Sequence, residues 1–342
     1  GNVIGGKGQM GRLIVVILVA SLGWMAWWMF GSSALDRTLT AWVDERRAEG
    51  WAADVADIDV AGVPNRFDTT LSDVRFADPQ TGVAWSASFL QLLALAYKPH
   101  QVIAVLPNEH RLSTPLQTLT FTHDQARGSV FMEPSPSLPL DRSTIIIEAL
   151  NIESNLGWNA RLDEGRFATE QIPARVDAHR VGAELLGFHP PEDVIAIVDP
   201  AGLLPETVER MRFDADIGFT APWDRGAIET ARPQITRIDL KDLSAEWGSV
   251  TFRAAGALDV DARGTPTGEI TVKAVDWRRL LQMSVASGLT PENIAPSIES
   301  ALEFLAALKG PSDTIDADLS LRSGRVFLGP IPLGNAPKIV IR

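Results

Sequence analysis

The segment from Ile315 to Leu328 reads IDADLSLRSGRVFL and shows the plainest structural pattern of the chain. Apolar residues occupy every second position from Ile315 to Leu321, and Asp or Ser stands between them. Successive side chains of a β-strand point to opposite faces, so this alternation predicts a strand with one buried face. Ser323-Gly324 then predicts a turn into a second strand, Arg325–Leu328.

A similar hairpin is predicted upstream of this segment. The strands Ser249–Val260 and Glu269–Ala274 flank the turn residues Asp261-Ala262-Arg263-Gly264. Further strand candidates share the same features, short apolar alternation bounded by turn residues. They are Ala53–Val60, Phe67–Phe76, Val102–Leu106, Leu116–Thr122, Ser129–Glu133, Thr144–Leu150, Ala160–Phe167 and Met211–Phe219.

Two helices are predicted between the C-terminal hairpins, over residues 276–310. The first covers Trp277–Ser287, and the second has Thr290 as its N-cap and Pro291 at its first helical position. Apolar residues at helical spacing in both predict packing against the sheet. The predicted fold is therefore mainly β with α, an α+β body with an elongated antiparallel sheet and two C-terminal helices packed on it.

The N-terminal part carries a long apolar run. Leu13–Phe30 reads LIVVILVASLGWMAWWMF, which contains no charge and is about long enough to cross a bilayer as a helix. We expect a transmembrane helix over 13–33, a cytoplasmic segment 1–12 that holds Lys7 and Arg12, and a periplasmic body 34–342. Residues 34–50 are predicted as a connecting helix that ends at Gly50.

A cleaved signal peptide is the alternative interpretation of this apolar run. Ser32 and Ala34 offer small residues for a cleavage site, although the run is longer than a typical signal core and ends in bulky residues. On the anchor interpretation the protein lies in a bacterial inner membrane, crosses it once, and keeps its N-terminus in the cytoplasm.

Charge and composition exclude several classes of function. The chain carries a net charge of −12, and the part beyond Lys7 and Arg12 carries −14. A body of this charge is repelled by phosphate backbones, so nucleic acid is not expected as a partner. The chain contains no cysteine, which excludes disulfides, thiolate metal sites and cysteine catalysis.

Two motifs match the consensus sequences of binding sites but lack a feature that those sites need. Gly6–Gly11 fits G-x-G-x-x-G, but no strand precedes it and an apolar run follows, so it is not a dinucleotide fingerprint. Asp259–Gly264 begins like a calcium loop, yet Arg263 stands where an oxygen ligand is needed, and a hairpin turn explains the segment better.

No constellation of catalytic residues is apparent. Asp214 and Asp216 stand two positions apart, which places them on one face of a strand, where solvated carboxylates are the ordinary case. No two histidines are four residues apart, as a metal site on one helix face requires. They are His100, His110, His123, His179 and His189. We expect no enzyme activity, no cofactor and no metal.

Several stretches resemble one known family. They are Trp42–Trp51 (WVDERRAEGW), Gly62–Thr70 (GVPNRFDTT), Asp199–Pro205 (DPAGLLP), Trp247-Gly248, Ala255–Asp259 and Phe327–Gly334 (FLGPIPLG). They are similar to the alphaproteobacterial envelope proteins grouped as domain of unknown function 2125, and they extend over nearly the whole chain. The order of an anchor followed by many strands also resembles, more loosely, the AsmA-like proteins.

The resemblance to AsmA-like proteins implies that the body binds or moves lipids, with phospholipid or another amphiphile as its partner. The alternative is a structural scaffold or assembly partner of an envelope protein complex, with a closed core and protein partners. An apolar concavity left uncovered by the C-terminal helices would favour the first. In the family-motif turn, Gly62, Pro64 and Arg66 are candidate site residues, either as a rigid turn with a paired cation or as a headgroup contact.

Overall fold

Antiparallel strands make up most of the chain, as the alternating patterns predict. The structure is a computed structural model. It describes the backbone of residues 6–79 and 82–341 and the side chains of residues 20–79, 82–227 and 230–341. The chain divides into two compact units, unit 1 (Gly1–Leu116) and unit 2 (Gln117–Arg342). This division falls inside the body 34–342, which the sequence predicts to be single. The boundary is not at the proline-containing loop Glu133–Pro139, because that loop lies within unit 2.

Unit 1 consists of one long helix and a small antiparallel sheet. The elements are α1 (Gly6–Ala48), β1 (Ala52–Asp54), β2 (Asp57–Ala61), β3 (Arg66–Asp78), β4 (Val83–Leu95), β5 (Lys98–Val105) and β6 (Glu109–Ser113). In the sheet, β3 pairs with β1, β2 and β4, and β4 also pairs with β5 and β6.

Helix α1 runs without a break through the predicted boundary between the membrane span 13–33 and the connecting helix 34–50. It stops where predicted, because Gly50 adopts φ +91° and its N–H donates to the carbonyl of Arg47. The helix packs on β3 through aromatic contacts, with the Trp42 and Phe76 ring centroids 5.6 Å apart. The close approach at Gly31 leaves no room for a Cβ, which would lie 2.5 Å from Cζ of Phe67.

Within the described residues, no helix holds a stretch long and apolar enough for a membrane crossing. The predicted span begins with residues 13–19, whose side chains lie outside the described residues.

Unit 2 is an antiparallel meander. The strands are β7 (Thr118–Thr122), β8 (Gln125–Met132), β9 (Leu140–Ser154), β10 (Asn159–Ile172), β11 (Arg175–His189), β12 (Val208–Phe219), β13 (Ile235–Trp247), β14 (Val250–Val260), β15 (Pro266–Val275), β16 (Thr314–Arg322), β17 (Arg325–Leu328) and β18 (Ile331–Asn335). From β8 to β18, each strand pairs with the next one in the chain, and β7 pairs with β9. The helices are α2 (Glu192–Val198), α3 (Arg225–Glu229), α4 (Trp277–Ala286) and α5 (Ala295–Lys309).

The predicted C-terminal hairpins form, and their turn chemistry is visible. One carboxylate oxygen of Asp261 accepts hydrogen bonds from the N–H groups of Arg263 and Thr265, each at 2.9 Å. The hydrogen bond from Thr265 and then that from Arg263, together with the positive charges of Lys338 and Arg263, hold the pKa of Asp261 below its usual value. The segment that begins like a calcium loop is therefore a hairpin turn closed by its own aspartate.

The predicted start of the second C-terminal helix is wrong. Thr290 is not its N-cap, because the hydroxyl groups of Thr290 and Ser284 lie 2.5 Å apart and the Thr290 N–H donates to the carbonyl of Ser284. Thr290 therefore closes the end of α4. A turn at Pro291–Ile294 follows, and α5 begins only at Ala295.

One strand contains an extra residue that keeps its apolar side chains on a single face. In β13, Leu243 pairs with Ala254 and Leu240 pairs with Gly256, so the two residues 241 and 242 oppose the single Ala255. This β-bulge directs Lys241 to the opposite face, where its ammonium group lies 3.2 Å from Asp216. Without the bulge, the apolar residues before and after it would lie on opposite faces.

Two glycines allow β14 and β15 to approach closely. A Cβ on Gly256 would overlap the carbonyl oxygen of Glu269, and a Cβ on Gly268 would overlap that of Ala257. Backbone atoms of a central strand cannot move aside as a flexible side chain can, so a substitution at either position forces the pair of strands apart.

We predict that Gly256→Ala lowers the free energy of unfolding by about 1–3 kcal/mol, the usual range for an overpacked site. Gly182→Ala is the matched control, because it also lies in a central strand but its Cβ would be 3.8 Å from the nearest backbone oxygen. Urea denaturation followed by tryptophan fluorescence measures both. Equal destabilisation by the two variants would contradict the close approach at Gly256.

Candidate functional site

The strand register of unit 2 places apolar side chains in continuous rows across one face of the sheet. We call this surface the apolar face. Its first row follows directly paired positions from β9 to β16: Ile145, Phe167, Ala183, Phe213, Leu243, Ala254, Val272 and Ala317. The neighbouring row is Ile147, Gly165, Leu185, Met211, Ala245, Phe252, Ala274 and Ile315. Neither row contains a polar side chain.

The opposite face of the same strands carries charged side chains that pair across the sheet. Arg180 donates two hydrogen bonds to Asp214, at 2.9 and 3.1 Å, and these bonds hold the pKa of Asp214 below its usual value. Arg210 lies 3.0 Å from Glu184 in the same manner. Asp214 and Asp216 therefore belong to a ladder of ion pairs. Because its pKa is lowered by Arg180, Asp214 is a poor proton donor.

Helices α4 and α5 cover only one end of the apolar face. Trp277 of α4 and Ile298 and Ala306 of α5 are buried there, and α5 packs against β16. At this end the sheet residues Ala274, Ile315 and Ala317 are buried with them. This part of unit 2 is an ordinary helix-on-sheet core.

Among the described residues, no helix covers the middle of the apolar face, from β9 to β13. Ile145, Phe167, Met211 and Leu243 remain 45, 38, 37 and 40 % exposed. Apolar side chains of this size on a strand face are normally buried by another part of the protein. A contiguous apolar surface that stays exposed marks an interaction site. The uncovered part of the face is therefore the candidate functional site of unit 2.

A groove of about 320 Å³ lies on this uncovered part, and its accessible lining is almost wholly apolar. We call it the apolar groove. Its principal lining side chains are Phe167, Leu185, Met211, Phe213, Leu243 and Phe252. The strands on its floor pair on both sides, so their backbone N–H and C=O groups are already used. The groove offers hydrocarbon contact and few hydrogen-bonding partners.

The sequence-predicted site residues Gly62, Pro64 and Arg66 lie together in one turn of unit 1. Gly62 adopts φ +103°, and a Cβ there would lie 2.9 Å from the Arg66 carbonyl oxygen. The Arg66 guanidinium pairs with Asp68 at 3.0 Å. The indole N–H groups of Trp24 and Trp28 donate to the carbonyls of Pro64 and Arg66, at 2.5 and 2.7 Å. In unit 1 this turn is one of the places where α1 contacts the strands.

The family model described as an uncharacterized protein conserved in bacteria (DUF2125) matches residues 28–337. The chain belongs to the DUF2125 family. The match includes every stretch that carried the resemblance. No curated protein and no solved structure matches the chain.

Two motifs of this DUF2125 chain that are distant in sequence come together in unit 2. Within DPAGLLP, the buried carboxylate of Asp199 accepts hydrogen bonds from the N–H groups of Leu203 and Leu204, at 3.1 and 2.8 Å. The indole of Trp247 then donates to the carbonyl of Pro205 at 2.7 Å. These contacts hold the DPAGLLP loop against the end of β13 and the turn that follows it.

Two histidines of this DUF2125 protein, His123 and His179, are buried. His179 is 2 % exposed on β11 and packs edge-on against Phe219. Burial lowers the pKa of both His179 and His123, against smaller opposing effects of Asp141 and Asp124. His179 is therefore neutral near pH 7 and adds no cation to the apolar face. Among the described residues, no group of three or more His, Asp or Glu side chains could hold a metal ion.

Sequence patterns did not reveal the apolar groove. Two of the five strands that line it, β11 and β13, were not predicted as strands. Only the pairing register brings Phe213 beside Ala183 and Leu243. The apolar positions of these strands do repeat in the sequence. They predict one shared apolar face only when the position of the bulge at Lys241 is known.

Proposed function

We propose that this DUF2125 protein binds the alkyl chains of a lipid in the apolar groove of unit 2, as a membrane-anchored protein of the bacterial envelope. The observation that carries the proposal is the row of large apolar side chains left exposed between β9 and β13, beyond the cover of α4 and α5.

The chemistry of the groove favours an alkyl chain over a peptide. A peptide brings N–H and C=O groups that lose their water when they are buried and need new partners. The backbone of the groove floor has none to give, because each strand is paired on both sides. An alkyl chain has no such groups, and each methylene that it buries contributes about 0.8 kcal/mol.

The charged face of the sheet also supports a lipid whose alkyl chains lie in the groove on the other face. Its carboxylates are paired with Arg180, Lys241 and other cations and face away from the apolar groove. Polar side chains on one face and hydrocarbon on the other suit a sheet that holds chains on one side and contacts water on the other. A lipid headgroup can then stay in water at the edge of the groove.

The membrane anchor is the second part of the proposal, and the sequence supports it. Leu13–Phe30 carries no charge, and Lys7 and Arg12 precede it, which favours an N-terminus in the cytoplasm and residues 34–342 in the periplasm. A tether of this kind would keep the groove close to its source of lipid.

We predict that alkaline phosphatase, which is active only in the periplasm, is active when fused after Gly50. The positive-inside arrangement of Lys7 and Arg12 gives this orientation. Green fluorescent protein of the kind that fluoresces only in the cytoplasm is the matched reporter at the same position. Fluorescence without phosphatase activity would contradict the proposed topology.

We predict that a photo-crosslinking amino acid at Leu243 captures radiolabelled phosphatidylethanolamine when the full chain is incubated with vesicles of that lipid. Leu243 is exposed on the apolar face and lines the groove. Glu246 is the matched control, because it lies three residues further along β13 on the charged face. The labelled lipid should appear at Leu243 and be absent at Glu246.

Two other outcomes would contradict the proposal. Crosslinking of Leu243 to a second copy of the chain, without lipid, would mean that the apolar face is a dimer interface. Capture of another envelope protein at Leu243 would favour the scaffold function instead.

A further inference from the structure

A second apolar volume lies between the helices α4 and α5 and the sheet. It measures about 210 Å³, and we call it the helix-covered cavity. Leu281 of α4, Leu302 of α5 and Leu319 of β16 are among its lining residues. The space is partly open to solvent, so it is an accessible pocket within this helix-on-sheet core rather than a sealed packing void.

The polar groups of this cavity are already satisfied by one another. Ser284 and Thr290 are the two hydroxyl side chains in its lining, and their oxygen atoms lie 2.5 Å apart in a hydrogen bond. The remaining lining is aliphatic or aromatic. An apolar cavity without free polar groups does not hold water well and accepts apolar ligands.

Phe252 of β14 lines both the helix-covered cavity and the apolar groove. Its directly paired neighbours on the same face are Ala245 of β13 and Ala274 of β15. Two alanines leave space beside a phenyl ring that two larger residues would fill. The ring therefore stands between two apolar volumes.

Neither volume is large by itself. Sites for small organic ligands usually measure about 300–1,000 Å³, so the cavity falls below this range and the groove lies at its lower end. A single alkyl chain that begins in the groove and ends in the cavity would use both. Such a chain must pass Phe252.

We propose that the helix-covered cavity receives the terminal part of the alkyl chain and that Phe252 sets how long a chain the protein accepts. This inference rests on the proposed function, because it concerns the same ligand. It adds a second compartment, a class of ligand with a long unbranched hydrocarbon tail, and one residue that determines specificity.

The test compares the binding of decanoate and stearate to the full chain and its variants. Stearate is long enough to reach past the groove, and two further buried methylenes strengthen binding about tenfold. Phe252→Trp fills the space beside the alanines, so the preference for stearate should fall by about tenfold or more. Phe252→Ala widens the passage, so the preference for stearate should rise.

Phe167→Ala is the matched control, because Phe167 lines the apolar groove and does not line the helix-covered cavity. It removes the same number of atoms, and it should weaken both fatty acids by a similar factor. A photoreactive group at the methyl end of stearate provides a second measurement. It should label Leu319 in the unaltered chain and lose this label in Phe252→Trp.

The outcomes separate this inference from the proposed function. In one outcome the photoreactive stearate labels Leu243 but never Leu319, and both Phe252 variants keep the chain-length preference of the unaltered protein. The groove then binds lipid, and the proposal of a second compartment is wrong. If neither position is labelled, the proposed function fails and this inference fails with it.

Discussion

Backbone pairing between consecutive strands is the constraint on which unit 2 depends. Side chains alternate between the two faces of a strand, so the register of each pair decides which side chains share a face. From β9 to β16 this register joins apolar positions into unbroken rows and places the ion pairs of Arg180 and Lys241 on the other side. A shift of one residue in any central pair would interrupt both faces at once.

The same constraint creates the surface on which the proposed function rests. A sheet that is apolar on one side must have that side covered, and α4 and α5 cover only the strands near β16. The strands β9 to β13 keep large side chains exposed, among them Phe167 and Leu243. The groove is therefore a consequence of an incomplete cover of this face.

The sequence predicted the fold class and the strands with regular alternation, such as β16 with Ile315 to Leu321. It failed where the two-residue period is interrupted. Strand β13 contains a bulge at Lys241, β11 is interrupted at Gly187 with φ +65°, and β4 is apolar over much of its length, so none of the three shows a regular period. Thr290 was misplaced because its hydroxyl bonds to Ser284 in three dimensions, whereas the helix-start pattern considers only neighbours in sequence.

The candidate site was less predictable than the fold. The turn with Gly62, Pro64 and Arg66 is recognisable from its residues, and in the structure it receives the indoles of α1. The apolar groove combines residues from five strands, and no local pattern contains it. Family membership does not help here, since the family model carries no described activity.

Native mass spectrometry of the full chain, gently extracted from bacterial membranes, tests the central claim most directly. If the apolar face between β9 and β13 holds alkyl chains, the unaltered protein carries an added mass equal to that of a lipid. The variant Phe213→Asp, which places a carboxylate on the groove floor, should lose this mass and remain folded by circular dichroism. An unaltered chain that carries no added lipid mass, or a lipid mass retained in full by folded Phe213→Asp, would contradict the account.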